Sequence, residues 1–405
     1  MIMVDSLKFL IFCNLFFFIN DISFCQNFDK SKSLKFYSGG TVITSQVRSE
    51  RNKAILRGPG SKENRDFVLS NYNGIQMSVY PAWDFGFWPK IKPKSVNDFI
   101  FNVEGLSELV NWGIDNNMYL IHHCLFFPNK YFPKWFSKTN YTDEELIIIL
   151  ENYIDEVLSY NNNKDKIDAL NVINEIFDKN GNYRLSGNED EDVKWMDIGF
   201  EDDQSGLIGE KKINDKHPIF IRKVLEKSRN LSNAKLEIRD FNIAFGGKKA
   251  DGLYQLIKHL KNSNIPIDAI GFQCHLNTNI DYNYENMFNN IKKFQKLDVE
   301  VYITELDVGM NLWGGQGKTK KTVSDLMKNE NDWVKYFKKQ NNIYYNIIKT
   351  ARNADVKLIS DWGFRDDNPY SNWRKNQKAW ILNFDYTKKE AYYEVLKALY
   401  ETQKN

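Results

Sequence analysis

Cysteine is scarce: the 405-residue chain holds four. Two of them, Cys13 and Cys25, lie in the apolar N-terminal stretch. The remaining pair, Cys124 and Cys274, is too few to staple a chain of this length, which excludes a disulfide scaffold. An excess of one charge is missing too, since 55 Lys and Arg against 53 Asp and Glu leave a net +2. That balance makes no field to capture nucleic acid or an anionic membrane, so neither is expected as a partner. After the N-terminus, no run approaches the ~18 consecutive apolar residues of a membrane-spanning helix. The chain also has no Pro/Ser-rich linker, no short-period repeat, and no Gly-x-Gly-x-x-Gly turn after any apolar run.

What is present is enough for a large core. Hydrophobic residues make up 42% of the chain and aromatics 15%, which excludes a mainly disordered protein. None of the ten tryptophans falls in the first 80 residues. At ~150 residues per domain the length suggests two to three domains, but α/β barrels reach this length as one. At the N-terminus, Lys8 precedes a mainly apolar run from Phe9 to Ile19, too short to span a bilayer comfortably, and then small residues near Ser23. The expected division is a signal peptide over 1–25 and one domain over 26–405, secreted or in the cell envelope. Lipoprotein anchoring through Cys25 is the alternative, weakened by the bulky Phe24 before it.

Short apolar or β-branched runs recur at 35–43, 74–79, 118–125, 169–173, 235–241, 269–274, 299–304 and 356–360. Stretches of helical period separate them, for example 143–160 behind a Thr142 cap, 217–230, 252–262 and 284–296. Runs that stay apolar throughout are what strands buried on both faces require. Eight of them with intervening helices predict a single (β/α)8 TIM barrel, in preference to an open doubly wound sheet. Two long loops, 179–216 with an acidic stretch and 309–342 with Lys318, Lys320 and Lys321, are expected as solvated surface or as rims of a substrate cleft. The acidic loop lacks calcium-loop spacing. His122 and His123 lack a third ligand, so no metal is expected there either.

Two glutamates end two of these runs, in Asn171-Val-Ile-Asn-Glu175 and Val301-Tyr-Ile-Thr-Glu305. A carboxyl just beyond an apolar strand is costly to desolvate and adds little to packing. The ends of strands four and seven face each other across a barrel mouth. Two carboxyls about 5–5.5 Å apart there suit a double-displacement glycosidase, with one as acid/base and one as nucleophile. The nucleophile's charge is expected to raise its partner's pKa.

These two motifs, with Ile270-Gly-Phe-Gln-Cys-His-Leu276, Leu306-Asp307, and Asp361-Trp-Gly-Phe364 followed by Trp373, resemble glycoside hydrolase family 10. The likeness runs from about Tyr37 to the C-terminus and includes Asp240-Phe-Asn242 and Asn383-Phe-Asp385. The resemblance implies a retaining endo-β-1,4-xylanase on a (β/α)8 barrel, with no cofactor. It implies Glu175 as acid/base and Glu305 as nucleophile. Asn174 and His123 would contact the sugar at the cleavage point, and Gln273 and His275 would support the nucleophile. Trp83, Trp362 and Trp373 would wall the donor side. Cys124 and Cys274 read as buried thiols.

The chain also departs from the family's pattern. Where the family ends its second strand with Glu-Asn and a following Lys-Trp, this sequence offers Ser78, Val79 and Ala82, keeping only Trp83. The third-strand motif runs on to Phe127-Pro128 instead of Trp-His, and Arg239 stands for the usual Asn before Asp240. The polar grip on donor-side sugars is thus largely gone, a loss expected to alter substrate choice. The leading expectation is a monomeric enzyme acting on a xylan-type polysaccharide or oligosaccharide. The alternatives are a retaining glycosidase for another β-linked or decorated glycan, and a catalytically weak glycan-binding protein on the same scaffold.

Overall fold

The structure is a computed structural model that describes residues 28–49, 54–78, 88–127, 133–184, 194–310, 330–366, 374 and 377–403. The expected signal segment lies outside them, as do Val79, Ala82, Trp83, Pro128, Glu189–Asp192, the three loop lysines and Trp373. No helix among the described residues is long and apolar enough to cross a membrane.

Eight parallel strands close into a barrel: β1 (Val42–Val47), β2 (Gly74–Ser78), β3 (Tyr119–Phe126), β4 (Ala169–Asn174), β5 (Lys235–Asp240), β6 (Ala269–Phe272), β7 (Glu300–Gly309) and β8 (Leu358–Asp361). Each pairs with the next in chain order, and β8 returns to β1 through Leu358↔Val42. The lower interior is an apolar plug of Ile121, Ala169, Ala269, Tyr302 and Leu358. The outer faces of the strands and the inward stripes of the helices share one large hydrophobic core. Helix Asp143–Ser159 shows how sequence sets this. Thr142 and Glu145 form a reciprocal capping box, and Leu146, Ile149, Leu150, Tyr153, Ile154 and Val157 recur at helical spacing on its buried face.

Seven of the eight expected strands lie where the apolar runs place them, within a few residues. The first does not. Leu34–Tyr37 is a short helix burying Leu34 and Tyr37, and the strand starts only at Val42. Gly39, at φ +59°, breaks the run in two.

Among the described residues, parts of both loops are regular structure. Within 179–216, Phe200–Asp202 pairs antiparallel with Lys216–Pro218, and helix Glu330–Asn353 begins inside 309–342. Acidic residues of the first loop have partners within the fold: Asp197 meets Lys194 at 2.6 Å and Glu201 meets Arg222 at 2.8 Å.

Candidate active site

The mouth of the barrel is built where regular strand geometry ends. Glu175 follows β4 in the left-handed region, φ +56°, a conformation that costs a non-glycine residue about 1 kcal/mol or more. Its N–H is fixed by the Arg239 carbonyl at 2.9 Å. On β7 the pairing with β8 slips between Ile303 and Leu306. The slip breaks the two-residue alternation, so Thr304, beside Gly271, and Glu305, against Arg239, both address the interior. The Glu305 N–H donates to the Gln273 carbonyl at 3.0 Å.

Neutral amides hold Glu175. Gln273 Nε2 donates to its Oε1 at 3.0 Å, and Asn174 Nδ2 approaches the same oxygen at 3.3 Å. Burial and the Asp240 carboxylate push its pKa from 4.5 up to about 7; Gln273 opposes them, and the charge of Glu305 adds a smaller push. Asp240 is itself buried, with Lys249 Nζ at 2.7 Å and the N–H groups of Phe177 and Phe241 at 3.1 and 2.9 Å.

Cations hold Glu305, which is 2% exposed. His275 Nε2 lies 3.0 Å from Oε2, and Arg239 Nη1 lies 3.3 Å from Oε1. Burial lowers the pKa of His275, but Asp307 at 3.0 Å from Nδ1, together with Glu305, outweighs it and raises the ring to about 9. His275 is therefore an imidazolium at neutral pH. Asp307, fully buried, is held down by Arg374 and His275 against the effect of burial. Arg374 binds it through Nε and Nη2 while also reaching the Leu276 carbonyl.

The sequence pattern of "Glycosyl hydrolase family 10" matches residues 88–398. This chain belongs to that family. It is a glycoside hydrolase. It is 29% identical over 323 residues to endo-1,4-beta-xylanase B of Thermotoga neapolitana, covering 78% of this chain and 79% of the relative. Among solved structures it is similar to xylanase 10B of Thermotoga petrophila RKU-1 in complex with xylobiose. That match has a TM-score of 0.71 at 24% identity and covers 92% of this chain and 98% of the other. It is also similar to a mutant of xylanase10C from Cellvibrio japonicus in complex with xylopentaose, with a TM-score of 0.70 at 19% identity, covering 92% and 70%. At these identities the structural likeness bears on the fold, the (β/α)8 barrel.

Of the residues that the family pattern singles out, Glu175, Asn174, Gln273, His275, Glu305, His123 and Trp362 converge on the mouth. Trp362 stands edge-on to His123 and His275, with ring centroids 5.2 and 5.9 Å apart. His123 Nδ1 lies 3.9 Å from Glu305 Oε1; burial, aided by the Arg239 charge, holds its pKa well below 6.5, so it is a neutral neighbour. Trp83 and Trp373 lie outside the described residues.

Two expectations change. The side chain of Gln273 serves Glu175 and Asn174, and only its backbone carbonyl serves Glu305. The pKa of Glu175 rises chiefly through burial and Asp240, with Glu305 a lesser cause.

Sequence reasoning left Asp307, Arg374 and Glu237 without roles. Glu237 had a signal: it stands two residues before Arg239, alternating with Leu236 and Ile238 along one strand, so both point to one face.

Away from the mouth, Asp203, His217 and His259 bring possible ligand atoms within 4.8 Å of one another. Their donor atoms are taken up by hydrogen bonds within the fold. His259 Nδ1 accepts the Gln204 N–H at 3.0 Å, which places the ring proton on Nε2, facing Glu201. His217 is spanned by Tyr183 and Asp203. The group clasps the Phe200–Asp202 hairpin to helix Lys248–Asn262.

Proposed function

We propose that this enzyme cleaves β-1,4-linked xylan-type polysaccharide with net retention, using Glu175 as acid/base and Glu305 as nucleophile. The observation that carries the reading is the unlike setting of the two carboxyls. Glu175, flanked by amides with a pKa raised to about 7, keeps its proton for a leaving group. Glu305, flanked by an imidazolium and a guanidinium, is oriented as an anion. The xylanase names of its relatives support the substrate class.

In the first step the proton of Glu175 passes to the glycosidic oxygen, the bond to the anomeric carbon breaks, and a Glu305 oxygen bonds that carbon. In the second, Glu175 takes a proton from water, the water oxygen bonds the anomeric carbon, and Glu305 leaves as a carboxylate. Asn174 and His123 contact the sugar at the cleavage point, and Trp362, with Trp83 and Trp373, stacks on its apolar faces. Residues 1–25 direct export, and the chain works as a monomer.

A second reading, a decorated or differently linked glycan, is favoured by Ser78. At the end of β2 it is 6% exposed and accepts from Gln46 Nε2 at 2.7 Å, offering the donor side no charge. Proton NMR of products from xylohexaose early in the reaction tests retention. First-formed product of inverted configuration would overturn the mechanism. Faster turnover of decorated glycans than of plain xylohexaose would favour the second reading.

A further inference from the structure

We propose that Arg239, locked by Glu237, is a positioning residue for Glu305 that promotes breakdown of the covalent intermediate. The proposal rests on the reading of Glu305 as nucleophile. Arg239 is fully buried, and four hydrogen bonds fix its guanidinium. Nε and Nη2 each meet an oxygen of Glu237 at 2.7 Å, and Nη1 meets Gln76 Oε1 at 2.9 Å and Glu305 Oε1 at 3.3 Å. Gln76 is oriented in turn by donating to the Thr304 carbonyl at 3.2 Å. The space for this pair is built into the next strand. A Cβ at Gly271 would stand 2.0 Å from Glu237 Oε1 and 2.7 Å from Cβ of Arg239.

Where the family resemblance leads one to expect a neutral Asn, this chain buries a cation together with its counter-charge. The two oxygens of Glu305 are thus divided between two cations, Oε2 to His275 and Oε1 to Arg239.

A cation at Oε1 acts oppositely on the two steps. When Glu305 bonds the anomeric carbon its negative charge disappears, and a guanidinium that stabilises the anion slows that step. When water displaces Glu305 the electron pair of the ester C–O bond returns to the carboxylate, and the same guanidinium stabilises the departing group. The bidentate hold of Glu237 keeps the cation in place through both, with no side chain to reorganise.

The test uses the full chain with 2,4-dinitrophenyl β-xylobioside. Its leaving group needs no protonation, so kcat reports the second step and kcat/KM the first. Arg239→Asn combined with Glu237→Gln removes both charges, leaving neither buried alone. Its kcat is expected to fall by about tenfold, the scale of one lost charge-assisted hydrogen bond to a departing anion. KM should fall in parallel, kcat/KM should hold or rise, and a pre-steady-state burst of dinitrophenol should grow. Arg239→Lys, which keeps the charge, should recover part of kcat.

Should the double variant fail to fold, Gly271→Ala displaces the same pair from β6 and must give the same split. Equal falls in kcat and kcat/KM, or no change in either, would overturn the proposal. Labelling of wild type by 2,4-dinitrophenyl 2-deoxy-2-fluoro-β-xylobioside separates the two readings. A label absent from Glu305 sinks the nucleophile assignment itself, whereas a label on Glu305 with an unchanged split sinks only the role of Arg239.

Discussion

Replacing Glu175 by Gln should abolish general-acid catalysis and at the same time stabilise the folded protein at alkaline pH. Its pKa rises from 4.5 to about 7 on folding, so the native state holds that proton more tightly than the unfolded chain does. At 1.36 kcal/mol per pH unit, the difference is about 3 kcal/mol. The sign follows from linkage: the native state's preference for the proton is fully expressed below pH 4.5 and is lost as pH rises through 7. Above 7 the wild type carries a desolvated carboxylate beside Asp240, and the Gln variant does not. The amide keeps an oxygen to accept from Gln273 Nε2, and it has the same length, so packing and the strained φ change little. Thermal unfolding at pH 8.5 should therefore rise by up to about 4 °C in a chain of this size, with little change at pH 4.5. Turnover should drop steeply on substrates with poor leaving groups and far less on activated aryl glycosides. A stability gain no larger at pH 8.5 than at 4.5 would refute the burial of charge argued for Glu175.

Three further outcomes are expected. Asp240→Asn should move the alkaline limb of the kcat/KM profile to lower pH, and Lys249→Met, which leaves Asp240 less compensated, should move it to higher pH; shifts in one direction only would show that Asp240 does not set the protonation of Glu175. Glu305→Ala should lose turnover and regain it with azide as a glycosyl azide of inverted anomeric configuration, detected by NMR; a product of retained configuration would count against Glu305 as nucleophile. Thr142→Ala removes one half of a capping box and should cost about 1 kcal/mol in urea unfolding, with kcat unchanged.

The barrel was readable because its strands are buried on both faces and leave short runs rich in apolar or β-branched residues, and strand ends stand out where a glutamate follows them. The failure at 35–43 is instructive: apolar content alone cannot distinguish a helical turn from a strand when a glycine pair splits the run, and pairing of Val42 with β8 decided it. Glu175, His275 and Glu305 were legible as strand-end residues. The destination of the Gln273 side chain was not, because β6 stops at Phe272 and Cys274 turns through φ +58°, so strand alternation no longer says which carboxyl each side chain meets. Arg374 reaches Asp307 from 67 residues away, a contact that no local pattern encodes.

That irregular passage after β6 is what makes two identical carboxyls different. Gln273 sends a neutral amide to Glu175, and His275, two residues on, sends an imidazolium to Glu305. The segment His275–Asn277 then runs beside the far end of β7, with His275 opposite Asp307, so the histidine is pinned by the strand that carries the nucleophile. From there the charges alternate across the mouth: Glu237, Arg239, Glu305, His275, Asp307, Arg374, each touching the next. Three anions and three cations cancel, so the line as a whole stays nearly neutral and tolerates burial where one unpaired charge would not. Glu175 is outside that line; burial and a second carboxylate, Asp240, raise its pKa, and the charge of Arg184 opposes them only weakly. The division of labour between the two glutamates therefore comes from which of them the alternating line includes.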